Sequence, residues 1–395
     1  MTASGFFVLG LTSHNRLLIW GDETHYDWAA VRSPPALRTE DKCEAVVPGD
    51  CHIALLVKNT LTNRNRVIQW GVNTCGQCNG RPNDDPAIMP EAAAWAAMGG
   101  TCDENYGVIF AGQDTTKVDK IINVPFDYSA PALLDDEQFI KVEASSGRTA
   151  GITSRGRMVV WGHVLYKTSS GSSVKEAEPL PTGEEYVDIS LCPSGTFVLT
   201  NRGRVLYWGD KGADGSGYNE QGILAGTVPT LPEGDQYVKL FANTGFVAAL
   251  TRSGRLKAWA TPGGAYQDYA GKNGLLDVPS LPEGEIFVDC GGGVRHAAAL
   301  TSRGRILAWG TNSHDQCAVP VLLAGETYVS VFGGYCCTGG VTSNGRLLVW
   351  GGGDELTKMR DVPLLSTGEK WVAPSFDVVE SSTATSICQC QCAMS

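Results

Sequence analysis

Cysteine is the residue type that could carry chemistry in this chain. The stretch NTCGQCNG, from Asn73 to Gly80, sets Cys75 and Cys78 three positions apart, the spacing of half a zinc site or of a dithiol redox pair. A zinc centre takes four ligands, and no second C-x-x-C or paired histidine follows. The tail CQCQC adds Cys388, Cys390 and Cys392, which suits a soft metal, a disulfide to a partner, or an exposed end with free thiols. YAGKN (Tyr269–Asn273) lacks the first glycine and the hydroxyl residue of a phosphate loop. The acidic, glycine-rich run Asp210–Gly222 does not keep the spacing of a calcium loop and reads as a solvated turn. No G-x-S-x-G, H-E-x-x-H or G-x-G-x-x-G occurs. These residues predict no catalytic centre, no resident metal and no cofactor.

The framework that must position such residues is a repeat. TSHNRLLIWG, TNRNRVIQWG, TSRGRMVVWG, TNRGRVLYWG, TRSGRLKAWA, TSRGRILAWG and TSNGRLLVWG end on Trp20, Trp70, Trp161, Trp208, Trp259, Trp309 and Trp350 or one residue later. The tryptophans are 50, 91, 47, 51, 50 and 41 residues apart, so one interval is about twice the others. The segment Ala92–Pro125 has the right order of apolar runs inside that double interval but lacks the Gly-Arg turn and the Trp-Gly, which gives eight units. Each unit reads as four short strands, the second and third joined by a tight glycine turn. The fourth carries Pro125, Pro179, Pro229, Pro279, Pro320 or Pro363 and is therefore predicted to be an outer edge. Four-stranded sheets repeated about an axis make a single all-β propeller over residues 1–380, followed by a Cys-rich tail, 381–395. The first unit begins at its second strand, FFVLGLT, so Lys370–Phe376 is predicted to supply its inner strand and close the ring.

GVRHAAAL (Gly293–Leu300) and GDCHIALL (Gly49–Leu56), with the T-S-x-G-R-x-x-x-W-G segments, resemble the regulator of chromosome condensation repeat family over essentially the whole chain. The resemblance implies a β-propeller, usually of seven blades. It also implies an N-x-x-G-Q-L-G turn after Trp-Gly, and Cys78 and Cys317 fall at its leucine. Both read as small apolar residues of a repeated loop, and Cys75 as a variable neighbour.

Two faces follow from the alternation of turns. One presents Arg16, Arg66, Arg157, Arg204, Arg255, Arg305 and Arg346, either as a guanidinium ring for an acidic partner or as pairs with Asp135, Glu137, Glu185, Asp235, Glu285, Glu326 and Glu369; the pairs are the expectation. The other presents loops after the third strand that differ in length and content. On these, Tyr26, Trp28, Tyr166, Lys167, Tyr218, Tyr266, Tyr269 and His314 are the predicted partner-binding residues.

Net charge is −11 without any Lys/Arg block, which argues against nucleic acid as a partner. The first residues lack a basic n-region, and no run of 18 apolar residues occurs, so neither a signal peptide nor a membrane span is expected and the cytoplasm is the expected compartment. The expected function is a non-enzymatic protein–protein interaction scaffold. The resemblance implies one alternative, nucleotide exchange on a small Ran-like GTPase.

Overall fold

The computed structural model describes residues 2–3, 7–21, 34, 37–49, 52–71, 101–102, 108–109, 133–145, 148–162, 175–176, 180–192, 195–209, 228–243, 245–261, 271, 274–353 and 357–372. Within them the repeated runs become antiparallel strands. β1 (Thr2–Ala3), β2 (Phe7–Leu11) and β3 (Leu17–Gly21) form the first sheet, and β4 (Asp41–Pro48), β5 (His52–Asn59) and β6 (Arg64–Gly71) the second. β7 (Thr101–Cys102) and β8 (Val108–Ile109) pair only with each other. The third sheet holds β9 (Phe139–Ser145), β10 (Arg148–Thr153), β11 (Met158–Gly162) and β12 (Lys175–Glu176). The fourth holds β13 (Tyr186–Cys192), β14 (Gly195–Thr200) and β15 (Val205–Gly209), and the fifth β16 (Tyr237–Ala242), β17 (Phe246–Thr251) and β18 (Leu256–Ala260). The sixth holds β19 (Phe287–Gly292), β20 (His296–Thr301) and β21 (Ile306–Gly310), and the seventh β22 (Tyr328–Gly333), β23 (Cys337–Thr342) and β24 (Leu347–Gly351).

The T-S-x-G-R turn works as its residues demand. Gly304 sits at φ 69°, a left-handed conformation that glycine adopts without strain, and Asn15 takes the same role in the first sheet at φ 58°. Most first strands carry a register shift just after their leading residue, as between Tyr186 and Asp188 or Tyr328 and Ser330. Such a bulge bends and twists the strand. It also leaves Val187, Val238, Val288 and Val329 on the surface.

Apolar residues are buried between sheets. Phe7 and Leu9 meet Ile53 and Leu55; Leu56 and Val67 meet Phe139 and Trp161; Ile152 and Met158 meet Ile189 and Val198. Phe197 and Tyr207 then meet Leu240 and Trp259, Phe246 and Leu256 meet Phe287 and Trp309, and Leu300 and Ile306 meet Tyr328 and Trp350. Val341 and Leu347 of the seventh sheet share a cluster with Val8 and Trp20 of the first. The Trp-Gly tryptophans do more than fill space. Trp20 donates its indole N–H to Met359 O (3.0 Å), Trp309 to Leu275 O (3.1 Å) and Trp350 to Gln316 O (3.1 Å), each acceptor lying beyond the third strand of the preceding sheet.

Two expectations need correction. Among the described residues only the third sheet has a fourth strand. Elsewhere the proline segments at 228–231, 278–281, 319–322 and 361–365 run without ladder pairing, because proline offers no N–H. Their V-P-x-L pattern still packs inward through Val228 and Leu231, Val278 and Leu281, Val319 and Leu322, and Val362 and Leu365. The first sheet's inner side is also composite. Trp371 bridges Thr12, Val372 N–H donates to Leu11 O (3.0 Å), and Thr2–Ala3 pair with Leu9 and Val8 beyond them. Residues 373–376 of the expected closing strand lie outside the described residues.

Candidate interaction faces

The T-S-x-G-R turns bring their last arginine over an acid two positions before the leading residue of the first strand, or, for Arg66, over that leading residue itself. Arg204 makes a forked pair with Glu184 (2.7 and 2.8 Å), and Arg305 with Glu285 (3.1 and 2.7 Å). Arg157 bonds Glu137 (2.6 Å), Arg346 bonds Glu326 (2.8 Å), Arg16 bonds Glu369 (2.8 Å), and Arg66 bonds Asp41. The acids are buried and the arginines partly exposed, so each arginine is a lid over a buried carboxylate. Hydrogen bonds from Arg204 and Arg305 hold Glu184 and Glu285 below the usual carboxylate range. For Glu326 and Glu369 the hydroxyls of Thr342 and Thr12 are the largest cause, with Arg346 and Arg16 adding to it.

The pairing expected from the sequence holds with three changes. Glu184, not Glu185, meets Arg204, and Glu185 is exposed beside the bulge. Asp41 serves Arg66. Asp235 turns instead to Ser253, accepting from its hydroxyl (2.6 Å) and its N–H (3.1 Å).

A second polar system was hidden in the apolar strands. The first strands of successive sheets face one another and carry charges of alternating sign. Lys141 of β9 ion-pairs with Asp188 of β13, and Lys239 of β16 with Asp289 of β19. Asp188 also accepts from Leu240 N–H (2.7 Å), and Ser190 Oγ from Ala242 N–H (2.9 Å). These bonds stitch each inner strand to the next. Glu143, on the same wall, is pushed up to about 7 by burial, against the pull of Lys141. Burial would lower Lys239, but Asp289 beside it holds the ammonium above its ordinary range.

Two histidines tie neighbouring sheets together. His52 Nε2 lies 3.0 Å from Thr149 Oγ1, and His296 Nε2 2.7 Å from Thr338 Oγ1. Burial lowers His296 to about 4, so it stays neutral. The glycine three residues before each histidine has a structural reason. A Cβ on Gly49 would meet the imidazole at 2.3 Å, and one on Gly293 would meet Gly334 O at 1.8 Å and the imidazole at 2.6 Å.

Of the residues assigned to partner binding, Tyr26, Trp28, Tyr166, Lys167, Tyr218, Tyr266 and Tyr269 lie outside the described residues, as do Cys75, Cys78 and the tail cysteines. His314 is described. It is half-buried, its Nδ1 lies 2.9 Å from Ser313 Oγ, and its N–H donates to Gln316 Oε1 (2.8 Å). Cys317 follows in the same loop, with its N–H on Asn312 Oδ1 (2.8 Å) and its thiol pushed up to about 11 by burial. Among the described residues no group of three His, Cys, Asp or Glu is placed to hold a metal, and no helix is long and apolar enough to cross a membrane.

No protein-family model matches the chain, and no curated protein matches it by sequence. Solved structures do. Human WBSCR16 superposes with a TM-score of 0.52 at 14% identity, covering 85% of this chain and 84% of the other. Yeast RCC1 (Prp20), crystallised with Kap60, gives 0.50 at 15% identity over 78% of this chain and 70% of its own. At such identities the likeness speaks for the fold, and with the repeats and the sheet order it establishes that this chain folds as a β-propeller of the regulator of chromosome condensation type.

Proposed function

We propose that the chain is a non-enzymatic protein–protein interaction scaffold that binds its partner through the variable loops following the third strand of each sheet. The observation that carries this reading is the self-pairing of the opposite face. There, six of the seven repeated arginines already hold a carboxylate within the protein. Arginines already engaged by buried carboxylates offer a partner little further charge, and a motif repeated about an axis gives it little to discriminate. The loops beyond Gly21, Gly162, Gly209 and Ala260 share neither length nor composition.

The scaffold in this reading is one ring of seven sheets. The second and third sheets share a core directly, through Leu56, Val67, Phe139 and Trp161. The expected eighth unit, Ala92–Pro125, lies outside the described residues except for β7 and β8. The seventh and first sheets meet over Trp20 and Trp371, which supports a ring closed by segments from both ends of the sequence.

Crosslinking and affinity capture identify the partner. Alanine at Trp28, Tyr218 or Tyr269 then weakens that complex by about 1–3 kcal/mol with the melting temperature unchanged. Replacing Arg204 or Arg305 chiefly alters its salt dependence. Loss of binding in the arginine variants alone refutes the assignment of the face. Accelerated nucleotide release from a Ran-like GTPase replaces the scaffold reading with exchange.

A further inference from the structure

The arginine ring has one defect, in the fifth sheet. Arg255 occupies the place of Arg204 and Arg305, and Asp235 the place of Glu184 and Glu285, yet no ion pair joins them. Two sequence changes explain this. Asp235 is one methylene shorter than glutamate. The turn here also reads Thr251-Arg252-Ser253-Gly254-Arg255, with serine where Arg202 and Arg303 stand in the fourth and sixth sheets. Ser253 therefore captures Asp235 through its hydroxyl and its N–H. Among the described residues the exposed Arg255 guanidinium meets no carboxylate.

That guanidinium borders a groove of about 690 Å³. The groove runs between β18 and the proline segment where a fourth strand would lie. Lys257, one alternate position along β18, lines it with Ser280 and the half-exposed Ile286. Lys257 makes no ion pair among the described residues. Asp277 and Glu285 also line it; Glu285 is neutralised by Arg305, and Asp277 pairs with neither cation. Two unpaired cations beside hydroxyl and aliphatic surface form a place for an oxyanion carried on an apolar stem. We propose that this groove is a second docking site, distinct from the loop face, which takes the carboxylate of an acidic side chain from a partner protein on Arg255 and Lys257. Carboxylate suits the geometry, because a guanidinium that forks onto glutamate elsewhere in the ring here has both N–H edges to offer.

The test uses a fluorescently labelled hexaglutamate peptide and the full chain, read by anisotropy at low salt. The wild type is expected to bind it saturably. Arg255→Gln weakens binding about tenfold or more, the equivalent of one charge-assisted hydrogen bond of about 1.5–3 kcal/mol. The double change D235E/S253A, which rebuilds the missing internal pair, has the same effect while leaving the thermal melt unchanged or raised. Arg202→Gln, at an exposed turn tip bonded to Thr182 O, leaves affinity within about twofold. Absence of saturable binding overturns the proposal, as does equal binding by Arg255→Gln or by D235E/S253A. Inorganic phosphate binding at this site without any peptide binding also overturns it, since the groove would then serve a free anion.

Discussion

Trp371→Ala tests how the last sheet meets the first. Trp371 is 5% exposed, lies 5.5 Å from Trp20 between ring centroids, and shares its cluster with Val8, Val341, Leu347 and Met359. Truncating a tryptophan in such a site costs about 3–5 kcal/mol from lost burial and the cavity left behind. The backbone bond from Trp371 N–H to Gly345 O (3.1 Å) survives the change, so the loss reports the side chain. Gly10 supplies an internal control. A Cβ there would stand 2.2 Å from Trp371 Cζ3 and 2.8 Å from Cε3, both in a rigid ring that has no room to give. Gly10→Ala therefore costs about 1–3 kcal/mol by overpacking. In the Trp371→Ala background the obstacle is gone, and Gly10→Ala should cost close to nothing, a coupling of about 1–3 kcal/mol. Equilibrium urea unfolding of the four proteins measures the cycle. A Trp371→Ala protein within about 1 kcal/mol of wild type refutes the reasoning, and so does a Gly10→Ala cost that is the same in both backgrounds.

Two further outcomes follow from the inner wall and the repeated loop. Burial raises the pKa of Glu143 to about 7 in the folded protein. The folded state therefore holds a proton that the unfolded chain has already lost above about pH 4.5, and stability falls as pH rises from there through 7. Glu143→Gln should consequently stabilise the protein by about 1–3 kcal/mol at pH 8 and leave it unchanged at pH 4, with thermal melts across that range as the measurement; a gain equal at both pH values excludes the mechanism. Cys317→Leu should be neutral to mildly stabilising and Cys317→Asp should cost about 1–3 kcal/mol, because the half-buried site would hold a charge without a partner, as read by denaturant midpoints. Equal midpoints for the two variants remove the apolar reading of this position.

How much of this was legible in the sequence depends on whether a feature repeats. The arginine pairs were readable because acid and arginine recur at one separation: Glu184 and Arg204, Glu285 and Arg305, and Glu326 and Arg346 are each 20 residues apart. The choice between Glu184 and Glu185 was not readable. It turns on which of two adjacent side chains the turn before β13 directs inward, and only the structure shows Glu184 buried and Glu185 exposed. The inner-wall charges were illegible for a different reason. Lys141 and Asp188 are 47 residues apart, Lys239 and Asp289 are 50, and each alone looks like one polar residue in an apolar strand. Only the ring brings them together. The proline segments misled because apolar residues around a proline suit an edge strand and an unpaired packed segment equally.

The tryptophans show why variable loops and a fixed core can coexist here. Burial of the indole could have been guessed from the repeat, but the direction of its N–H could not. Trp20, Trp309 and Trp350 each point that N–H at a backbone carbonyl in the loop of the preceding sheet, and the residues bearing those carbonyls are Met359, Leu275 and Gln316. A carbonyl is offered by every residue type, so the anchor asks nothing of the loop's sequence. It asks only that the backbone pass under the tryptophan. Gln316 shows the reach of one such anchor, since its carbonyl takes the Thr338 hydroxyl (2.7 Å) as well as the Trp350 indole, and Thr338 lies against His296 of the sheet before. These three loop bases are thus held by the core of the next sheet, whereas Trp161 donates to the Gln69 side chain and the buried Trp259 N–H meets no acceptor among the described residues. That arrangement fits the scaffold proposed above: loops of differing composition, fixed at the root by backbone contacts that do not depend on it.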